Sequence, residues 1–203
     1  YFLIGDVSGK GVPASLFMAI TRSLFRTLSQ QVLSPAKIVT DMNNSISDNN
    51  ESNMFVTLIV GILDLETGKL KLCNAGHNPP ILIRPDGQVS FLEFKTQIFV
   101  GVIEEFAYTE DETTLEKGSK LFLYTDGVTE AENTEKELYG DEKLLKTLSD
   151  NSTSDVRTTV NGIEDSVADH VKEAEASDDL TILLIQYEPG QQTIKHISLW
   201  KEK

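Results

Sequence analysis

The amino-acid sequence predicts an α+β fold built on antiparallel strands, and three features of its periodicity predict it. Apolar residues recur at helical spacing over 14–30, where Leu16, Phe17, Ile20, Leu24, Phe25 and Leu28 fall, and again from Pro35 through Ile46. Between 54 and 124 the pattern shortens to strand-like runs rich in Val, Ile, Thr and Phe. Helical spacing returns over 141–148 and 154–171, ahead of a closing apolar strand at 180–186. Helices that flank a block of consecutive strands are not the strict β-α alternation of a parallel sheet.

Each element carries a local signal. Tyr1-Phe2-Leu3-Ile4 is a short apolar run ending at Gly5-Asp6, a buried strand that delivers Asp6 at its end. Gly9 and Gly11 break that pattern, and Pro13 suits the first turn of a helix. Ser34 is an N-cap with Pro35 at the first helical position, and Ile38, Val39, Met42 and Ile46 follow as one apolar face. The strand 54–63 turns through Asp64-Leu65-Glu66-Thr67-Gly68 into 69–74, where Leu70 and Leu72 alternate with Lys69 and Lys71. Further strands are expected at 81–84, 88–93, 107–115 and 120–124, with Pro85-Asp86-Gly87 turning between the first two. Gly162 weakens the helix at 154–171. One domain is expected over 1–188. The tail 189–203, with Trp200, reads as an extra edge strand or a docking element. Because the chain opens inside an apolar strand, at Tyr1, it reads as a domain lacking its N-terminal strand or strands within a longer polypeptide.

Composition narrows the partners. The 203 residues suffice for one core without disulfides, and 32 acidic against 18 basic residues leave a net charge of −14. So acidic a surface argues against nucleic acid, which attracts clustered Lys and Arg; otherwise the excess is a solvated face. Cys73 is the single cysteine, so no internal disulfide forms, and a reduced, cytoplasmic compartment is the simplest setting. No apolar run approaches the ~20 residues of a membrane span, so no membrane contact by this domain is expected.

Gly5-Asp6-Val7-Ser8-Gly9-Lys10-Gly11 nearly matches several motifs and fits none. A P-loop needs four residues between its glycine and Gly-Lys, followed by Ser or Thr; here three intervene and Gly11 follows. A nucleophile elbow needs glycines two residues either side of the serine, where Ser8 has Asp6 and Lys10. Gly9-x-Gly11-x-x-Ala14 follows a strand and opens a helix as a dinucleotide fingerprint would, but no acidic residue lies between Asp6 and Asp41 to bind a ribose. What stands out is Asp6 itself, a carboxylate at the end of a buried strand, with helix cap or satisfied turn as its plainer explanation.

Two further strands carry an aspartate in the same way. Leu121-Phe122-Leu123-Tyr124 leads into Thr125-Asp126-Gly127-Val128-Thr129-Glu130, and Ser177-Asp178-Asp179 opens the apolar run Leu180 to Ile185. Singly, each would be a turn aspartate. If the three strand ends converge, their mutual repulsion calls for a cation. Oxygen-only ligands suit Mg²⁺ or Mn²⁺. Only His77, His170 and His196 accompany the one cysteine, so no zinc-type cluster is available.

These motifs, in this order, resemble the SpoIIE/RsbU-type branch of the metal-dependent type 2C protein phosphatases. The likeness extends to Phe55-Val56-Thr57-Leu58, to Asn74-Ala75-Gly76-His77-Asn78-Pro79-Pro80 and to Thr125-Asp126-Gly127-Val128-Thr129-Glu130-Ala131, and runs from Phe2 to about Gln186. The resemblance implies a four-layer α-β-β-α sandwich of two antiparallel sheets with flanking helices. It also implies two Mn²⁺ or Mg²⁺ ions: Asp6 bridges them, the Val7 carbonyl binds one, and Asp126 and Asp178 complete the other's ligands. Glu130 falls where relatives hold an acid for a weaker third site, and Asp179 adjoins the ligands. His77, followed by two prolines, reads as a structural turn rather than a general acid. Lys10 replaces a histidine common in relatives; phosphate binding and simple exposure both stay open. Relatives also carry an acidic strand residue upstream of the first motif, beyond the start of this chain. The implied reaction is hydrolysis of phosphoserine or phosphothreonine on a protein, often an anti-sigma-factor antagonist, as the output of an upstream sensor domain that can tether it to a membrane. A non-catalytic regulatory domain of the same fold, binding a partner protein, is the alternative.

Overall fold

The structure, a computed structural model, describes residues 1–48, 50, 53–174 and 179–190 in full and the backbone of 195–201. In chain order the elements are β1 (Phe2–Val7), α1 (Val12–Leu28), α2 (Pro35–Ser47), β2 (Val56–Leu63), β3 (Lys69–Ala75), β4 (Ile81–Ile83), β5 (Val89–Phe91), β6 (Asp111–Thr114), β7 (Lys120–Tyr124), α3 (Gly140–Asp150), α4 (Val156–Val171), β8 (Leu180–Gln186) and β9 (Lys195–Lys201). Two antiparallel sheets with helices packed on them give the α+β class that the periodicity predicts. None of the helices, among the described residues, is long and apolar enough to cross a membrane.

The chain divides into two compact units. The first comprises Tyr1–Asp64, Lys69–His77 and Glu93–Thr114. Its sheet runs β1-β2-β3-β6, with every neighbouring pair antiparallel. Strand alternation sends Val7, Val56, Leu58 and Val60 to one face, where they pack with Ile38, Val39, Met42 and Ile46 of α2. Ser34 caps α2 as expected, its hydroxyl accepting from the Lys37 N–H at 3.2 Å. The same hydroxyl donates to Glu110, whose carboxylate also accepts from the Ala36 N–H and pairs with Lys71. Burial works to raise the Glu110 pKa, but these three partners outweigh it and hold the group below its ordinary 4.5. A carboxylate depressed in this way stabilises the fold above its unfolded pKa, and that contribution is lost as pH falls through the folded value. Glu110→Gln is therefore expected to lower stability at neutral pH by about 1 kcal/mol. It should also make acid destabilisation shallower below about pH 4.5, which urea titrations across that range would measure.

Two expectations change in this unit. Phe17, Leu24, Phe25 and Leu28 of α1 pack toward the core, but Val12, Leu16 and Ile20 are 73%, 60% and 53% exposed. Their spacing of four puts them on one stripe, and this helix buries only its other side. The strand expected at 107–115 shrinks to Asp111–Thr114. Upstream, the Tyr108 N–H donates to the Thr40 hydroxyl and the Thr109 N–H to the Gln97 side-chain oxygen, so side chains take the place of a ladder partner. Cys73, on β3, is fully buried 3.8 Å from the Gln97 amide nitrogen, and burial pushes its thiol up to about 12.

The second unit comprises Leu65–Gly68, Asn78–Leu92 and Leu115–Lys203. Its sheet runs β5-β4-β7-β8-β9, again antiparallel throughout, with β9 at the edge. What the side chain of Trp200 does lies outside the described residues. Phe122, Tyr124, Ile182 and Leu184 face Leu144, Leu148, Val156, Val160 and Ile163 of α3 and α4. Asp155 caps α4, accepting from the Arg157 and Thr158 N–H groups. Gly162 is inside α4 because a Cβ there would meet the Asn151 side chain at 3.0 Å. Buried Lys120 donates to the Ser152 and Ser154 carbonyls, fixing the link between the two helices; burial lowers its pKa against the opposing charge of Asp155.

Candidate functional site

Asp6 stands near the end of β1, directly across from Thr57 of β2, and Val7 is across from Val56. Val7 packs into the core with α2, so Asp6, the next residue along, belongs to the opposite face of the sheet. Beyond β1 the chain is held rather than free: the Ser8 N–H donates to the Phe55 carbonyl, and the Phe55 N–H to the Ser8 hydroxyl, both at 2.9 Å. Ser8 thus closes a turn. Lys10 follows, exposed, just before α1.

Asp126 follows β7, a strand buried at every residue. Burial raises the phenol pKa of Tyr124, the last residue of that strand; the Asp141 charge adds to this and a bond with Asn78 opposes it. At Thr125 the ladder to β8 changes character. The Thr125 N–H donates to the Thr181 carbonyl, while its hydroxyl accepts from the Thr181 N–H at 3.1 Å and lies 3.3 Å from the Asp179 carbonyl. Asp126 then opens a turn in which its own carbonyl accepts from the Glu130 N–H at 2.7 Å. Gly127 has no room for a side chain, since a Cβ would stand 2.2 Å from the Asp179 oxygen. The aspartate turn after β7 and the strand start at Asp179 are therefore in backbone contact. One Asp126 carboxylate oxygen, Oδ1, is buried, whereas the Glu130 side chain is exposed.

The predicted site residues fall out as follows. Asp6 and Val7 belong to the first unit, Asp126 and Asp179 to the second, and Asp178 lies outside the described residues. Among the described residues no group of three or more His, Cys, Asp or Glu is gathered to hold a metal. The donor chemistry nevertheless fits a hard divalent ion, because strand-end carboxylates and the Val7 carbonyl offer only oxygen. A softer ion is poorly served: the Cys73 thiol is held protonated, and His170 is engaged with Lys143 and the Glu137 carbonyl. Sequence reasoning missed Thr125 and Gly127, which seat the Asp126 turn. The Thr125-Asp126-Gly127 string was visible, but the bond from the Thr125 hydroxyl to the Asp179 carbonyl, spanning 54 residues, was not.

A family model for stage II sporulation protein E (SpoIIE) matches residues 1–188. The chain belongs to the SpoIIE family. Phosphoserine phosphatase RsbU of Bacillus subtilis, similar to it, is 27% identical over 184 residues, covering 90% of this chain and 54% of RsbU. The chain spans only about a third to a half of the curated relatives it matches. Among solved structures, the SiaA PP2C domain of Pseudomonas aeruginosa superposes with a TM-score of 0.78 at 22% identity, over 92% of this chain and 76% of that one. The catalytic domain of the serine/threonine protein phosphatase PstP, solved with two manganese ions, gives 0.64 at 15% identity, over 90% of this chain and 85% of that one. These likenesses show the fold, α+β with two antiparallel sheets and flanking helices, as in type 2C phosphatase domains. By family the chain is a SpoIIE domain, and in fold it is similar to PP2C phosphatase domains.

Proposed function

We propose that the chain hydrolyses phosphoserine and phosphothreonine on a protein substrate, with two Mn²⁺ or Mg²⁺ ions held by Asp6, the Val7 carbonyl, Asp126 and Asp178. The observation that carries this reading is the contact of Gly127 with Asp179, which seats the Asp126 turn beside the residue that follows Asp178 in the sequence. When bound, the ions supply an activated water and neutralise phosphoryl oxygens. The chain's own part is to hold carboxylates at fixed strand ends, which is most of what phosphoryl transfer asks of a protein. The two threonines, Thr125 and Thr181, lock one strand end against its neighbour, so that the Asp126 carboxylate is presented from a fixed backbone. Glu130, exposed on the same turn, is the candidate for a weaker third ion.

The substrate we propose, on the resemblance to SpoIIE/RsbU-type phosphatases, is an anti-sigma-factor antagonist, in a cytoplasmic signalling pathway controlled by a sensor domain of the full-length protein; the curated relative RsbU is named a phosphoserine phosphatase. Phosphate release from a phosphoserine peptide and a phosphothreonine peptide tests the activity. Turnover is expected only with Mn²⁺ or Mg²⁺, falling to background in EDTA and returning when the ion is restored. Metal binding without any turnover would favour the regulatory, non-catalytic reading instead, and EDTA-insensitive turnover would overturn the metal assignment.

A further inference from the structure

We propose that His77 is a positioning residue for Asp6, acting through the hydroxyl of Thr57, and that this chain of contacts sets the affinity for the divalent ion. The inference rests on the metal role proposed for Asp6. Its starting point is a face of the first sheet. Val56 and Leu58 of β2 pack into the core with α2, so Thr57 between them belongs to the opposite face. Asp6 is its directly opposed partner on β1, and opposed residues of antiparallel strands share a face with Cβ atoms about 5 Å apart. Thr57 is thus the directly opposed cross-strand neighbour of Asp6.

The Thr57 hydroxyl is 2.9 Å from His77 Nδ1 and 3.5 Å from the Asp6 carbonyl oxygen. It carries one proton. If that proton goes to Nδ1, the imidazole fixes the Thr57 rotamer directly; if Nδ1–H donates instead, the hydroxyl turns its proton to the Asp6 carbonyl. Either arrangement stops Thr57 rotating beside Asp6.

The imidazole is itself firmly placed. His77 is 4% exposed, its N–H donates to the Asn74 side-chain oxygen at 2.8 Å, and its carbonyl accepts from the Asn74 amide at 3.0 Å. Asn74 therefore clamps the His77 backbone from both sides. A buried imidazole is a poor filler, because an aliphatic side chain would occupy the space without burying polar nitrogens. Its use here fits a role for the nitrogen that meets Thr57. Partners that orient metal-binding side chains typically alter metal affinity by 10–100-fold when removed.

The test is Mn²⁺ binding, followed by the electron paramagnetic resonance signal of free ion, on Thr57→Val, Thr57→Ser, His77→Leu and Asp6→Asn. Thr57→Val and His77→Leu are expected to weaken binding at least about tenfold, whereas Thr57→Ser, which keeps the hydroxyl, stays near the wild type. A purely structural role would lower the melting temperature of the Val variant without weakening binding by the folded protein. Wild-type affinity in folded Thr57→Val would overturn the inference while leaving the metal role of Asp6 intact. Wild-type affinity in Asp6→Asn would overturn the metal role itself. If His77→Leu fails to fold, the Val and Ser pair at position 57 still decides.

Discussion

Asp126→Asn is expected to reduce Mn²⁺-dependent phosphate release about a thousandfold, a loss of roughly 4 kcal/mol in transition-state stabilisation. The substitution keeps the size of the side chain but removes its negative charge and turns one oxygen into an N–H donor, which a cation repels. The backbone bonds that shape the turn run through the Asp126 carbonyl, Thr125 and Thr181, and the substitution leaves these groups in place. Stability should therefore stay within about 1 kcal/mol of the wild type. Rates on a phosphoserine peptide, read beside a thermal melt, check both halves. Full turnover in this variant would remove Asp126 from the chemistry.

Gly127→Ala should act the other way, through the fold. The new methyl group would stand 2.2 Å from the Asp179 oxygen and 2.9 Å from its carbonyl carbon. Both obstacles are backbone, so no side chain can swing aside, and one strand start must shift. Overpacking of this kind costs about 3 kcal/mol, which for a domain of this length corresponds to a fall in melting temperature of roughly 6–12 °C. Because β8 follows Asp178 in the sequence, Mn²⁺ binding should weaken in the molecules that remain folded. Unchanged melting would mean that the turn after β7 is not packed as tightly as described.

The reach of the sequence is clearest at the strand ends. Asp6 and Asp126 each follow a short apolar run, and that local pattern alone sufficed to put them at or just beyond the ends of β1 and β7. It could not show that the Asp126 turn touches Asp179, because the contact depends on a missing Cβ and on two strands brought together from distant parts of the chain. Helix α1 shows a different limit. Its apolar residues outnumber what one face can bury, so periodicity located the helix but not which stripe, Leu16 and Ile20 or Phe17 and Leu24, would turn inward. The shortened β6 has a third cause: Thr40 and Gln97 meet the backbone of Tyr108 and Thr109, and no local propensity encodes partners so remote. His77 was legible as a fixed turn, but its link to Thr57 depends on the bridge between Gly76 and Leu58 of β2, which local sequence does not encode.

The buried thiol on β3 makes this protein its own reporter of breathing motions. Cys73 is the sole sulfhydryl in the sequence, and both its inaccessibility and its reluctance to ionise keep alkylating reagents from it while the sheet is closed. Any modification by iodoacetamide must then await an opening of that sheet, so the labelling rate measures the free energy of local unfolding around the strand next to the one that carries Thr57.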